Sequence, residues 1–213
     1  MTTQSIAIDA MGGDVGPRVT IPASLDALKK YPNLRIILVG DQIQIENLLK
    51  KYDELNHPRL SIHKTTEVVM MDESPQSALK NKKNSSMRVA INLVKDGDAK
   101  ACVSAGNTGA LMATARFVLK TLQGIDRPAI ASNLPNRKGA TCMLDLGANA
   151  DCSAEQLLQF AVMGSMLTIA HTKKKNPTIG LLNIGSEEIK GNDVVKKASE
   201  LLKNSHLNFY GNV

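Results

Sequence analysis

The sequence contains no tryptophan, and aromatic residues make up only 3% of its 213 residues. Proteins that hold single-stranded nucleic acid stack successive bases on exposed rings, so this scarcity argues against a nucleic-acid partner. Cysteine is equally sparse. Cys102, Cys142 and Cys152 form no C-x-x-C pair and leave an odd count, which suits a reducing cytoplasm rather than a disulfide framework. No apolar run approaches the ~20 residues needed to span a bilayer. The first eight residues carry no basic segment followed by an apolar stretch of signal-peptide length. The chain is therefore expected to be neither secreted nor integral to a membrane. His57, His63, His171 and His206 are isolated, with no H-E-x-x-H spacing, and are expected to be solvated or structural. No metal site and no cofactor are expected.

What is present is an ordinary globular composition, 43% hydrophobic and 22% charged, with a formal charge of +6. The basic excess makes an anionic partner plausible without naming one. Short runs rich in Val, Ile and Leu alternate with longer helical patterns. Strands are expected at Ser5–Ala10, Leu34–Val39, Leu60–His63, Ala101–Ser104, Ala140–Leu146, Thr178–Asn183 and Leu207–Tyr210. Helices are expected from Pro17 and over Ile43–Tyr52, Pro75–Lys95 (broken at Asn84–Ser86), Gly109–Leu122, Ser153–His171 and Asp193–Leu202. Ser153 and Gln156 make an S-x-x-Q capping box, and Met163 and Met166 read as core filling. Alternation of this kind implies an α/β fold with a mostly parallel sheet covered on both faces. With no linker and no repeat, 1–213 reads as a single α/β domain. Because the chain stops just after a strand, where a helix should follow, it also reads as lacking a C-terminal part.

Ligands of open α/β sheets bind at the carboxyl ends of the strands, and four loops there concentrate Gly, Asn and small polar residues. The first is Asp9-Ala10-Met11-Gly12-Gly13-Asp14, in which the glycine pair lets backbone amides approach a ligand; the alternative is a tight turn with Asp14 as cap. The second runs Ser104-Ala105-Gly106-Asn107-Thr108-Gly109 between a strand and a helix, so free amides and the positive end of the helix dipole converge on one spot. It is neither a P-loop nor G-x-G-x-x-G, and its polar side chains exceed the needs of an ordinary cap. The third, Asp145 to Asp151, offers Asn149. The fourth, Asn183 to Asn192, carries Lys190 between two glycines, suited to an anion. A basic stretch from Lys80 to Arg88, with Lys82 and Lys83, is either a solvated helix face or a contact for an acidic protein. The cysteines lack a neighbouring His and read as buried structural thiols.

The segments IAIDAMGGDVGP at Ile6–Pro17, VSAGNTGALMA at Val103–Ala113, DRPAIA at Asp126–Ala131, LDLGANAD at Leu144–Asp151, GLLNIGSEEIKG at Gly180–Gly191 and the terminal FYGNV occur in one order along nearly the whole chain. Together with KKNSSMRVA at Lys82–Ala90 they resemble the acyl carrier protein:phosphate acyltransferase family of bacterial phospholipid synthesis. The resemblance implies a three-layer α/β sandwich related to the isocitrate and isopropylmalate dehydrogenases, a homodimer and peripheral association with the inner face of the membrane. It implies an acidic acyl carrier protein and inorganic phosphate as partners, and a glycerol-3-phosphate acyltransferase downstream. In this reading Gly12, Gly13, Asp14, Ser104, Gly106, Thr108, Gly109, Asn149 and Asn212 hold phosphate or substrate. Lys190 and Asn107 are the catalytic candidates, and Lys82, Lys83 and Arg88 meet the carrier protein. Two other readings remain: a phosphate acetyltransferase-like enzyme using acyl-coenzyme A, and a non-catalytic carrier-protein scaffold. A nicotinamide-dependent dehydrogenase lacks its fingerprint here.

Overall fold

The computed structural model describes residues 4–137, 139–149 and 151–213; Ala150 of the Leu144–Asp151 motif lies outside the described residues. It is a mixed α/β protein with seven helices among those residues. The chain divides into two compact units, Met1–Lys120 and Thr121–Val213.

The first unit runs β1 (Gln4–Asp9), α1 (Pro17–Lys30), β2 (Leu34–Gly40), α2 (Gln42–Lys51), β3 (Leu60–Lys64), α3 (Pro75–Asn81), α4 (Ser86–Asp96), β4 (Ala101–Val103), α5 (Thr108–Leu119). Its four strands form one parallel sheet in the order β3-β2-β1-β4. Side chains alternate between faces along each strand, and both faces are apolar. Ile8, Ile36 and Leu38 pack against Ile21, Leu25 and Leu28 of α1 and Ile45 and Leu49 of α2. Ala7, Ile37 and Val39 pack on the opposite face with Ala90 and Leu93 of α4. This double cover is why β1 and β2 read as near-continuous hydrophobic runs. The α1 side of β1 and β4 also carries an open, apolar groove of 930 Å3 lined by Ile6, Ile8, Ala23, Ala27 and Val103.

The register sets up the site. Ile8 lies opposite Val103, so the next residues, Asp9 and Ser104, leave adjacent strands together at the carboxyl edge. The expected helix break is present: α3 ends at Asn81, and α4 starts after Ser85, whose hydroxyl accepts from the Arg88 amide at 3.3 Å. Gly97, at φ +87°, closes α4 in the left-handed conformation.

The second unit contains β5 (Ala131–Asn136), β6 (Gly139–Leu144), α6 (Ala154–Thr172), β7 (Thr178–Leu181), α7 (Asp193–Lys203) and β8 (Asn208–Asn212). β5 and β6 form an antiparallel hairpin registered from Ala131↔Leu144 to Asn136↔Gly139. Sequence reading missed β5 because every residue in it is exposed, so no apolar alternation marks it, and Pro135 and two asparagines disguise it. β7 and β8 are parallel, with an irregularity after Ile179. The capping box of α6 is formed in both directions: the Ser153 hydroxyl accepts from Gln156 N at 3.2 Å and the Gln156 side chain accepts from Ser153 N at 3.0 Å. The reading of Met166 as core filling is corrected, because its side chain is 62% exposed. Apolar residues fall around most of α6, yet the core of this unit engages Leu157, Leu158 and Ala161, leaving Val162, Met166 and Leu167 outside it. Among the described residues, no helix is long and apolar enough to cross a membrane.

Candidate functional site

The two glycine loops of the first unit meet. Asp9, the last residue of β1, is 1% exposed, and its Oδ2 accepts a hydrogen bond from the Ser104 hydroxyl at 2.6 Å. The Ser104 oxygen in turn accepts from the Gly106 amide at 3.1 Å. Gly12 fills the space between them. A β-carbon there would lie 2.6 Å from Asp9 Oδ2 and 3.0 Å from both Gly106 N and Ser104 Oγ, so the Asp9 carboxyl would have to shift and the Gly106 and Ser104 atoms to give way. Gly13, at φ +87°, occupies the left-handed region and passes over the Ala105 carbonyl. Six residues of the sequence reading (Gly12, Gly13, Ser104, Gly106, Thr108 and Gly109) thus fall at one edge of the sheet, where helix α5 begins.

Asn107 is the N-cap of α5, its Oδ1 accepting from Ala110 N at 3.0 Å. Its amide nitrogen donates to the carbonyls of Met71 and Glu73, both at 2.9 Å, and lies 3.4 Å from that of Met70. With only two hydrogens to give, this side chain is committed to joining α5 to the 70–73 segment. The Thr108 and Gly109 amides, on the first turn of α5, have no hydrogen-bond partner among the described residues, as the first donors of a helix usually lack one. A cavity of 410 Å3 lies between the first glycine loop and the 68–72 segment, lined by Met11, Gly13, Asp14, Gly16, Met70 and Met71. Asp14 does not cap α1: the N-cap is Gly16, without a side-chain hydrogen bond, and Pro17 starts the helix. Asp14 is exposed.

The basic stretch is less uniform than its sequence. Lys82 pairs with Glu73 at 3.4 Å, and the Arg88 guanidinium lies 5.1 Å from the Phe117 ring centroid. Ser85, Ser86 and Met87 are buried, while Lys80 and Lys83 are exposed.

Asn149, Lys190 and Asn212 belong to the second unit. Asn149 donates to the Pro128 carbonyl at 3.3 Å. The segment from Asn183 to Gly191 is a closed loop. Asn183 donates to the Lys190 carbonyl at 3.1 Å and accepts from Ile184 N at 2.9 Å. The Glu187 carbonyl receives both the Lys190 amide, at 3.1 Å, and the Asn212 side chain, at 3.2 Å. Lys190 therefore has a fixed backbone, an exposed side chain and no ion pair among the described residues. Asn212 is 7% exposed, and its Oδ1 has no partner there.

All three cysteines are free. Burial, then the nearby Asp9, pushes the Cys102 thiol up; burial, then Asp145, does the same to Cys152. Thiols held protonated are poor nucleophiles. Among the described residues, no group of three or more His, Cys, Asp or Glu side chains is arranged to hold a metal ion.

Sequence reading quoted Asp9 within its loop but did not single it out. The signal was available only as an acidic residue ending a strand directly before a glycine pair; its partner lies 95 positions away.

Comparison with known proteins agrees with this architecture. The EutD phosphotransacetylase from Staphylococcus aureus shares the fold at a TM-score of 0.68, with 18% identity, over 97% of this chain and 67% of its own. The phosphate acyltransferase of Chromobacterium violaceum is 64% identical over 99% of this chain and 61% of its own length. Those of Methylococcus capsulatus and Herminiimonas arsenicoxydans are each 60% identical over 99% of this chain, covering 62% and 60% of their own lengths. The chain thus spans about three fifths of the length of these relatives. The fatty acid synthesis protein model matches residues 4–213, which include every loop described above, and the chain belongs to that family.

Proposed function

We propose that the protein of which this chain forms part, or which it constitutes, transfers a long-chain acyl group from acyl carrier protein to inorganic phosphate. The observation that carries this is the junction of the Gly12–Gly13 and Ser104–Gly109 loops at the start of α5, with the Thr108 and Gly109 amides unoccupied. Such amides and the helix dipole form an anion site without any charged side chain. The name phosphate acyltransferase, carried by relatives 60–64% identical, supports phosphate as that anion.

In the reaction a phosphate oxygen attacks the thioester carbonyl, a C–O bond forms, the C–S bond breaks, and the thiol leaves with a proton. Inorganic phosphate is already partly dianionic near neutral pH, its second pKa being ~7, about a unit above that of phosphate esters, so it needs no strong base. Orientation of the two reactants can contribute about 7–11 kcal/mol, and one donor to the developing oxyanion about 3–4 kcal/mol. Gly12, Gly13, Gly106, Thr108 and Gly109 cradle phosphate. Ser104 fixes that cradle, and Asn107 holds the 70–73 segment against α5 rather than touching substrate. Asn149 and Asn212 contribute hydrogen bonds, and Asp14 stands at the rim. Lys190, on its closed loop, offsets negative charge on phosphate or the tetrahedral intermediate. Lys83, with Lys82 and Arg88 beside it, meets the acidic carrier protein. The same reading includes a homodimer of three-layer sandwiches related to the isocitrate and isopropylmalate dehydrogenases, acting in the cytoplasm or at the inner membrane face. A glycerol-3-phosphate acyltransferase would consume the acyl phosphate.

The test is acyl-phosphate formation, trapped as hydroxamate, from long-chain acyl carrier protein and, in parallel, the coenzyme A thioester of equal chain length. Turnover with the carrier-protein donor is expected; turnover with coenzyme A alone would reassign the donor. Lys190→Ala should lower turnover about a hundredfold with the unfolding midpoint unchanged, and unaltered turnover would remove Lys190 from the mechanism.

A further inference from the structure

We infer that Asp9 is a positioning residue for the anion site, acting through Ser104 to hold the two glycine loops in register. The inference rests on the phosphate reading above. Three observations converge on this carboxyl. It is buried at the carboxyl end of a central strand, where an apolar side chain would serve packing better. Its Oδ2 ends a chain of hydrogen bonds, Gly106 N–H to Ser104 Oγ and Ser104 O–H to Asp9, that reaches from β1 into the loop before α5. Gly12 sits directly against the same oxygen, so the carboxyl also sets how closely the first loop approaches the second.

The remaining oxygen, Oδ1, is buried and takes no hydrogen bond among the described residues. A polar atom left so is costly and is not needed to bind Ser104, so its retention beside a ligand edge fits a functional role rather than a stabilising one. Chains of linked hydrogen bonds reinforce one another and fail together. Losing either end should therefore release Gly106 and let the Thr108 and Gly109 amides turn away from a common point. Asp9 touches no substrate atom in this scheme.

The experiment is titration of the purified chain with inorganic phosphate by calorimetry, for the wild type, Asp9→Ala, Ser104→Ala, the double variant and Asp9→Asn. Each alanine variant should weaken phosphate binding about tenfold, the worth of one good hydrogen bond. The double variant should be no weaker than either single one, because both break one chain. Asp9→Asn, whose amide oxygen still accepts from Ser104, should recover most of the affinity. Wild-type affinity in Asp9→Ala, or losses that multiply in the double variant, would overturn the inference while leaving the phosphate site intact. A wild-type chain that binds no phosphate would overturn the phosphate reading, and this inference with it. Should Asp9→Ala not fold, Ser104→Ala and Asp9→Asn still decide: a loss in the first with retention in the second supports the role, and the reverse defeats it.

Discussion

The two units use the same vocabulary of strands and helices and reach different degrees of completion. In the first, helices pack on both faces of a four-stranded parallel sheet, and three apolar clusters hold every buried apolar residue among the described ones, with an open groove left beside β1 and β4. In the second, one cluster around Ala198 and Leu202 joins α6, α7 and β7, and much apolar surface lies outside it. Leu122, Ile184, Ile189 and Tyr210 are 82%, 85%, 80% and 76% exposed. Scattered exposed apolar residues are normal, but this many large ones in 93 residues is not what a self-contained core leaves over. Alternation of strands and helices specifies layers; it does not guarantee that each layer is buried within its own unit.

The sharpest way to break that contrast is by truncation of apolar side chains in each unit. Leu38→Ala, at a position with no exposure, should cost about 2–5 kcal/mol in urea unfolding. Ile184→Ala, at 85% exposure, should stay within about 0.5 kcal/mol. Equal costs would mean that the second unit buries Ile184 in a state not described above. Next in size is Gly12→Ala, whose methyl would strike Asp9 Oδ2 and the Gly106 amide; about 1–3 kcal/mol should be lost, along with phosphate affinity. Asn107→Ala removes an N-cap together with the donors to Met71 and Glu73. About 1–2 kcal/mol is expected, with faster amide exchange around 70–73 as the diagnostic sign.

The smallest effect belongs to the second unit. The Lys197 ammonium, 2.6 Å from Glu155, and then the Glu155 backbone amide and Ser153, lower the Glu155 carboxyl from 4.5 to about 2. A depressed carboxyl adds stability above its unfolded value and loses it as pH falls from about 4.5 toward 2. The pair is more than half exposed, so the stability change should be slight. The titration itself is the measurement: Lys197→Met should return Glu155 toward 4.5 in an NMR pH series.

The same contrast explains what could be read from residues alone. Strands β1 and β2 were legible because burial on both faces writes near-continuous apolar runs into the chain. The helix break near Ser85 and the Ser153–Gln156 box were legible because capping is local. β5 was not, since an exposed strand held by its hairpin partner needs no apolar code. Met166 misled because a thioether on an apolar helix looks the same whether or not its own unit covers it. The meeting of the two glycine loops at one edge of the sheet was legible in part, but not how they are held together. The Asp9–Ser104 contact spans 95 positions, and Asn107 reaches carbonyls 34 and 36 positions away. A side chain that looks like a simple cap can carry a long-range clamp that only the folded chain reveals.

That clamp depends on one amide nitrogen. At most helix starts Asn and Asp are interchangeable, and at Asn107 an aspartate would still accept from Ala110 N. Hydrolysis of the Asn107 amide, the slow loss of ammonia that makes asparagine thermolabile, would keep the cap and destroy the donor. The nitrogen now held by the Met71 and Glu73 carbonyls would become an oxygen facing oxygens, so attraction would turn to repulsion. Ageing at this one atom would spare the helix and release the 70–73 segment from the start of α5.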